Sequence, residues 1–214
     1  MKIGVLGAGN VGGTLGSGWA RKGHQVTFGV TDPGADKVKS LVASAGTNAR
    51  AASLSEGAAG SEVVALAVPW EAAQEVVQKA GKLSGKILID ATNPLLMSPQ
   101  GLSQGLVLGH STSAGEQVAH WATGARVVKA FNTTGAGNMA NSDYAGQKLT
   151  MFLCGDDAQA KSVVAKLSQE LGFEPLDCGP LRIARLLEPV AMLWIHLALG
   201  QGMGTNFGFK VVKR

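Results

Sequence analysis

Apolar and polar positions follow one another in blocks along this chain. Lys2–Leu6 is a short apolar run that ends in a glycine-rich turn, and a helical pattern follows to about Lys22. Gly23-His24 turns the chain into a second apolar run, Gln25–Val30, after which Asp32-Pro33 reads as a helix N-cap and first helical position. Further apolar runs fall at residues 62–68, 86–90 and 126–131, interleaved with helical patterns over Trp70–Ala80 and residues 113–121. The runs are continuous rather than alternating (Val63-Val64-Ala65-Leu66-Ala67-Val68, Ile87-Leu88-Ile89), as expected of strands buried on both faces. Strand after helix after strand predicts an α/β fold, a Rossmann-type doubly wound parallel sheet.

After Phe131 the rhythm changes. A glycine-rich connection leads to a strand at 149–154, a helix at 158–171, a strand over Glu174–Asp177 and a long apolar helix over 181–199. We read residues 1–134 as a dinucleotide-binding domain and 135–214 as a smaller C-terminal α/β domain for substrate binding and dimerisation. The last helix is apolar nearly all round, with Glu188 and His196 as exceptions between Leu186 and Leu199. Such a helix has to be buried on more than one side. Pairing with its copy in a second subunit is the economical way, so a homodimer is expected, with Met192 and Trp194 at or near the interface. Pro189 is expected in the first turn or at a kink.

Composition narrows the classes. At 214 residues with 45% hydrophobic and 16% charged, the chain can bury a core and is neither a coiled coil nor a charged disordered protein. Its apolar run from Pro189 to Leu199 falls short of the roughly 20 residues a bilayer needs, and its start lacks the pattern of a signal peptide. Two cysteines, Cys154 and Cys178, make no disulfide framework, and a reducing cytoplasm is the default expectation. The net charge of +4 is spread out without interleaved aromatics, which argues against nucleic acid and leaves room for an anionic small molecule.

The chemistry begins at Gly7-Ala8-Gly9-Asn10-Val11-Gly12, a G-x-G-x-x-G that leaves a strand and opens a helix. Gly7 allows the tight turn, Gly9 lets backbone approach a pyrophosphate, and Gly12 lets helix pack on strand, with Asn10 and Val11 between them at the helix mouth. The helix N-terminus adds free N–H groups and partial positive charge. At the end of the second strand an NAD enzyme carries a carboxylate and an NADP enzyme a cation. Here the slot holds Val30, and Asp32 is accounted for as a cap. Thr31 can donate one hydrogen bond and Lys37 stands further off, which favours NADP and leaves NAD open.

Several ordered segments then match one family: Gly7–Gly12, Ala67-Val68-Pro69-Trp70-Glu71, Asp90-Ala91-Thr92-Asn93-Pro94-Leu95, Val127-Val128-Lys129-Ala130-Phe131-Asn132-Thr133-Thr134, Cys154-Gly155-Asp156-Asp157, Gly179-Pro180-Leu181 with Arg185-Leu186-Leu187-Glu188, and Gly202-Met203-Gly204. Over nearly its whole length the chain resembles the deazaflavin (coenzyme F420)-dependent NADP reductases. It is also similar to the cytosolic oxidoreductase domain of the six-transmembrane metalloreductases. The resemblance implies hydride exchange between NADP(H) and a flavin or deazaflavin in a homodimer. It places Val68, Pro69, Asn93 and Pro94 on the cofactor side, and Asn132, Thr133 and Met203 toward the second ring. Members usually carry Ser or Val followed by Arg where this chain has Val30-Thr31.

The residues agree with such a task. Pro69, Asn93 and Asn132 each follow a predicted strand, where ligands of open parallel sheets sit. A carbinol dehydrogenase needs a general acid or base, and the candidates are few: His110 in a loop, His120 and His196 within helices, and Lys129 at a strand end. No nucleophile elbow and no metal-ligand spacing is present in the sequence, so neither a catalytic side chain nor a metal is expected. Ring-to-ring hydride transfer asks the protein mainly to hold two rings together. The alternatives are an NAD(P)-dependent dehydrogenase or imine reductase using Lys129, and a non-catalytic dinucleotide-binding protein.

Overall fold

In a computed structural model of the chain, residues 1–97 and 103–214 are described. In chain order the strands and helices are β1 (Lys2–Leu6), α1 (Asn10–Arg21), β2 (Gln25–Val30), α2 (Asp36–Ala45), β3 (Ala49–Ser53), α3 (Leu54–Ala59), β4 (Val63–Leu66), α4 (Trp70–Ala80), β5 (Ile87–Asp90), β6 (Leu95–Met97), β7 (Ser103–Leu106), α5 (Ala114–Trp121), β8 (Arg126–Lys129), α6 (Ala136–Ala140), β9 (Asp143–Tyr144), β10 (Gln147–Lys148), β11 (Thr150–Gly155), α7 (Ala158–Glu170), β12 (Glu174–Asp177) and α8 (Ala184–Ile195). A 3₁₀ turn, Leu181–Ile183, leads into α8, and a π-helical turn, His196–Gly200, ends it.

Eight strands form the main sheet in the order β12-β11-β8-β5-β4-β1-β2-β3. From β3 to β8 every pairing is parallel, and β11 joins β8 antiparallel through Cys154 opposite Lys129. β11 and β12 of the C-terminal segment therefore extend the same sheet, while β9 and β10 pair in a hairpin of their own. Two apolar cores lie on its two faces. One gathers Trp19, Phe28, Phe131 and Leu167 under α1 and α7; the other gathers Leu66, Val77, Leu88 and Val118 under α3, α4 and α5. Trp19 ties the first face together, its Nε1–H donating to the Leu167 carbonyl at 3.2 Å. The chain order reverses where β1 stands between β2 and β4, and the crevice of an open α/β sheet lies beyond the strand ends at that point.

One local expectation needs correction and two are refined. Asp32 does not cap a helix: its Oδ1 accepts the Gly34 N–H at 2.9 Å in a tight turn, and α2 starts at Asp36 behind Ala35, which offers no side-chain cap. Pro189 sits in the interior of α8 rather than in its first turn, so the helix lacks that N–H at mid-length. Trp194 is buried by its own chain, stacked on Phe207 at 5.3 Å between ring centres and donating to the Phe207 carbonyl at 3.0 Å. The segment Leu181–Gly200 is long and apolar enough to cross a membrane by length and composition, yet the fully buried Glu188 at its middle is tied to the sheet.

Candidate functional site

The glycine loop sits at the reversal point as its spacing predicts. Gly7 has φ of 110°, in the left-handed region that favours glycine, and its N–H donates to the Gly29 carbonyl at 3.0 Å, fixing the turn between β1 and β2. A Cβ at Gly12 would strike the Gly7 carbonyl, so Gly12 is what lets α1 start against β1. At Gly9 a Cβ would meet nothing within 4 Å. Gly9 is the N-cap of α1 without a side-chain cap, and no acidic residue occupies the first turn, so the first N–H groups face open space.

That space is a crevice with two connected lobes of about 610 and 390 Å³ that share Gly9, Ala67, Val68 and Pro69. The larger lobe runs along the end of β2, past Gly7, Val30, Thr31, Asp32 and Lys37. The smaller runs the other way, past Asn10, Val11, Trp70, Glu71, Thr92, Asn93 and Leu95. A dinucleotide fits this plan, with pyrophosphate at Gly9, the adenosine end toward Thr31 and Lys37, and the nicotinamide end toward Asn93. Among the candidate residues, Gly7, Gly9, Asn10, Val11, Thr31, Val68, Pro69 and Asn93 come together in its walls. Gly12 lies behind the wall, and Pro94 is buried beside Asn93.

The acceptor-side candidates are placed differently. Asn132 is buried and clasps Asn93: Asn93 Nδ2 donates to the Asn132 carbonyl at 2.9 Å, and Asn132 Nδ2 donates to Asn93 Oδ1 at 3.1 Å and to the Leu187 carbonyl of α8 at 3.3 Å. Asn132 Oδ1 is a buried acceptor with no donor among the described residues. The residue before it, Phe131, has φ of 63°, a strained conformation for a bulky side chain and of the kind that gathers at working sites. Thr133 is buried beside Asn132, outside the crevice walls. Met203 is 59% exposed on the glycine-rich tail, also outside those walls, its N–H bonded to the Leu197 carbonyl.

Lys129 is not a poised base. Its side chain is fully buried, with Nζ 2.9 Å from Asp90 Oδ2, 3.0 Å from Glu188 Oε1 and 2.7 Å from the Thr92 carbonyl it donates to. Burial alone would lower its pKa, but the two carboxylates reverse this and hold it above the ordinary lysine value. Glu188, raised in turn by its own burial, also accepts from the N–H groups of Ala114 and Gly115 at the start of α5. Sequence reasoning marked Glu188 as an exception in an apolar helix and as the end of a family-matching segment, without a role at the site; the exception was the available signal. It also passed over Trp70, which lines the crevice and stacks on Trp121 at 5.2 Å. Cys154 is inert as well, its thiol pushed up to about 12, chiefly by burial.

The chain is similar to known proteins. Residues 2–94 match the family model described as NADP oxidoreductase, coenzyme F420-dependent. The chain is 30% identical over 208 residues to the F420-dependent NADP reductase of Methanothermobacter marburgensis, covering 92% of each. It is 30% identical over 191 residues to the metalloreductase STEAP3 of Rattus norvegicus, where it spans 36% of that protein's length and 89% of its own. A solved structure from Arthrobacter sp. FB24, provisionally assigned as an F420-dependent NADP reductase, superposes over the whole of both chains with a TM-score of 0.90 at 35% identity.

Proposed function

The chain belongs to the F420-dependent NADP reductase family, and from that premise we propose that it moves hydride between NADP(H) and a flavin or deazaflavin, coenzyme F420 foremost. One observation carries the acceptor class. The ionisable side chains among the residues lining the crevice are Asp32, Lys37 and Glu71, all exposed, and the one buried lysine beneath it is spent on two carboxylates. Such a site has no poised acid or base for a carbinol or imine substrate, whereas ring-to-ring hydride transfer needs none. NADPH supplies the hydride. Gly9 and the start of α1 hold the pyrophosphate, Val68 and Pro69 wall the middle, and the Asn93–Asn132 clasp sets the nicotinamide end. In stopped-flow mixing, nicotinamide absorbance is expected to fall with F420 or riboflavin phosphate. Turnover confined to keto acids or imines would reverse the assignment.

NADP rather than NAD is supported by Val30 in the carboxylate slot and by Thr31 and Lys37 in the lobe wall. Lys37 makes no ion pair among the described residues, whereas its neighbour Lys39 pairs with Asp36. A Thr31→Arg protein is expected to prefer NADPH over NADH about tenfold more strongly than the parent, since a guanidinium takes phosphate bidentately, and Lys37→Ala is expected to shift the ratio the other way. The two catalytic efficiencies, measured side by side, check this; ratios that stay put would mean the 2′-phosphate lies elsewhere.

The same reading makes the chain a cytoplasmic homodimer that works without membrane or nucleic acid. α8 and its extension leave Leu186, Leu193 and Leu199 at least half exposed, at 62, 50 and 55%, which supports pairing through this helix. Since Trp194 is covered from within, Leu193 is the better probe. Leu193→Asp is expected to yield monomers in sedimentation. A parent protein that is already monomeric at micromolar concentration would remove the dimer.

A further inference from the structure

Beneath the crevice floor lies a charge imbalance. Asp90 ends β5, Lys129 ends β8 and Glu188 stands on α8; all three are fully buried and in contact. One cation thus faces two carboxylates. Both carboxylates are contacted by donors. Among the described residues Glu188 touches only donors: Lys129 Nζ, and the N–H groups of Ala114 and Gly115 at 3.0 and 3.1 Å. Asp90 Oδ1 accepts the Thr92 N–H and hydroxyl at 2.9 and 2.7 Å, and its Oδ2 accepts from Lys129. Among these partners Glu188 has no acceptor to receive a carboxyl proton, and Asp90 has the Thr92 hydroxyl alone. Arg185, one turn before Glu188, cannot supply the missing charge, because Glu116 holds it in a bidentate pair at 2.6 and 2.8 Å. The α5 N–H groups hold Glu188 in place but carry only partial charge.

Stability does not account for this arrangement. Buried ion pairs are commonly matched or bettered by apolar residues of the same size, and here one carboxylate is in excess. Its location points to a use. Lys129 is bonded to the carbonyl of Thr92, and Ala91, Thr92 and Asn93 line the lobe assigned to the nicotinamide. When hydride leaves NADPH with its electron pair, the donor ring passes from neutral to a pyridinium of charge +1, and the acceptor takes the hydride and a solvent proton. A fixed negative charge beneath the ring favours the charged form.

We infer that Glu188 is a positioning residue that keeps a net negative charge under the crevice floor, holding NADP⁺ tightly relative to NADPH and so drawing hydride out of the bound nicotinamide. The inference rests on the reading that NADP(H) occupies the crevice. One charge acting across about 12 Å at an effective dielectric near 20 is worth about a tenfold change in relative affinity.

The test is equilibrium binding, not turnover. The dissociation constants of NADPH and NADP⁺ are measured by titration for the parent and for Glu188→Gln, which keeps size and an acceptor oxygen but removes the charge. NADP⁺ is expected to weaken about tenfold relative to NADPH. Asp90→Asn makes the same charge change from the other carboxylate, keeps the test alive if Glu188→Gln fails to fold, and is expected to shift the ratio the same way. Leu187→Ala loosens α8 without touching charge and is expected to move both affinities together. A ratio unchanged in both carboxylate variants, or shifted equally by Leu187→Ala, overturns the inference. If neither nucleotide binds the parent, the crevice reading falls, and this inference with it.

Discussion

Gly9→Val is expected to weaken NADPH binding by about a hundredfold or more while the protein melts within a few degrees of the parent. The new side chain meets nothing of its own chain within 4 Å and enters the crevice where the two lobes join. Backbone strain is not at issue, because φ of Gly9 is −78°, open to any residue. What is lost is the approach of the pyrophosphate to the free N–H groups of α1. Two hydrogen bonds to a charged oxygen, at about 1.5–3 kcal/mol each, amount to a hundredfold or more. Gly12→Val is the contrast. Its Cβ would strike the Gly7 carbonyl and the Val5 side chain, backbone and core that cannot step aside. That variant is expected to lose both affinity and melting temperature. Calorimetric titration with thermal melts separates the two roles. Undiminished affinity in Gly9→Val, or a melting loss equal to that of Gly12→Val, would remove Gly9 from the ligand.

Why some of this was legible beforehand and some was not follows from where each signal resides. β1, β2 and α4 stand where the pattern put them to the residue, because a strand buried on both faces writes an apolar run and an amphipathic helix writes its period. β3 writes neither. It is Ala-Arg-Ala-Ala-Ser at the sheet edge, and its extended form comes from pairing with β2. α3 follows it directly and did leave a mark, the capping box in which Ser53 and Glu56 satisfy each other's backbone groups. The crevice was readable because its walls are strand ends and a glycine loop, all local features. The charge cluster was not. Lys129 at the end of an apolar strand looks like a free base until α8, 59 residues later, folds back over α5 and sets Glu188 against it. Only tertiary structure could pair them.

Lys129→Met is expected to cost about 3–5 kcal/mol of stability, the usual result of leaving a buried ion without its partner. Asp90 and Glu188 remain in place with no exposure to water, and the methionine cannot donate to either carboxylate or to the Thr92 carbonyl. Against a total stability of about 5–15 kcal/mol that is a large share. The pH dependence has a definite sign. Burial already raises the Glu188 pKa above its ordinary 4.5, and Lys129 is the largest influence lowering it. With the lysine gone the folded-state value climbs further. Between the ordinary value and the raised one the folded state binds more protons than the unfolded, so stability falls as pH rises through that window. The deficit of Lys129→Met relative to the parent should therefore be smallest in mild acid and widen toward neutrality, as urea unfolding at several pH values would show. Replacing both carboxylates as well, by Asp90→Asn and Glu188→Gln, should return much of the loss. The same variant decides the chemistry. A general base can be removed without unfolding the protein, whereas a buried clamp cannot. A Lys129→Met protein that unfolds in step with the parent and yet transfers no hydride would restore Lys129 to the reaction and set the clamp aside.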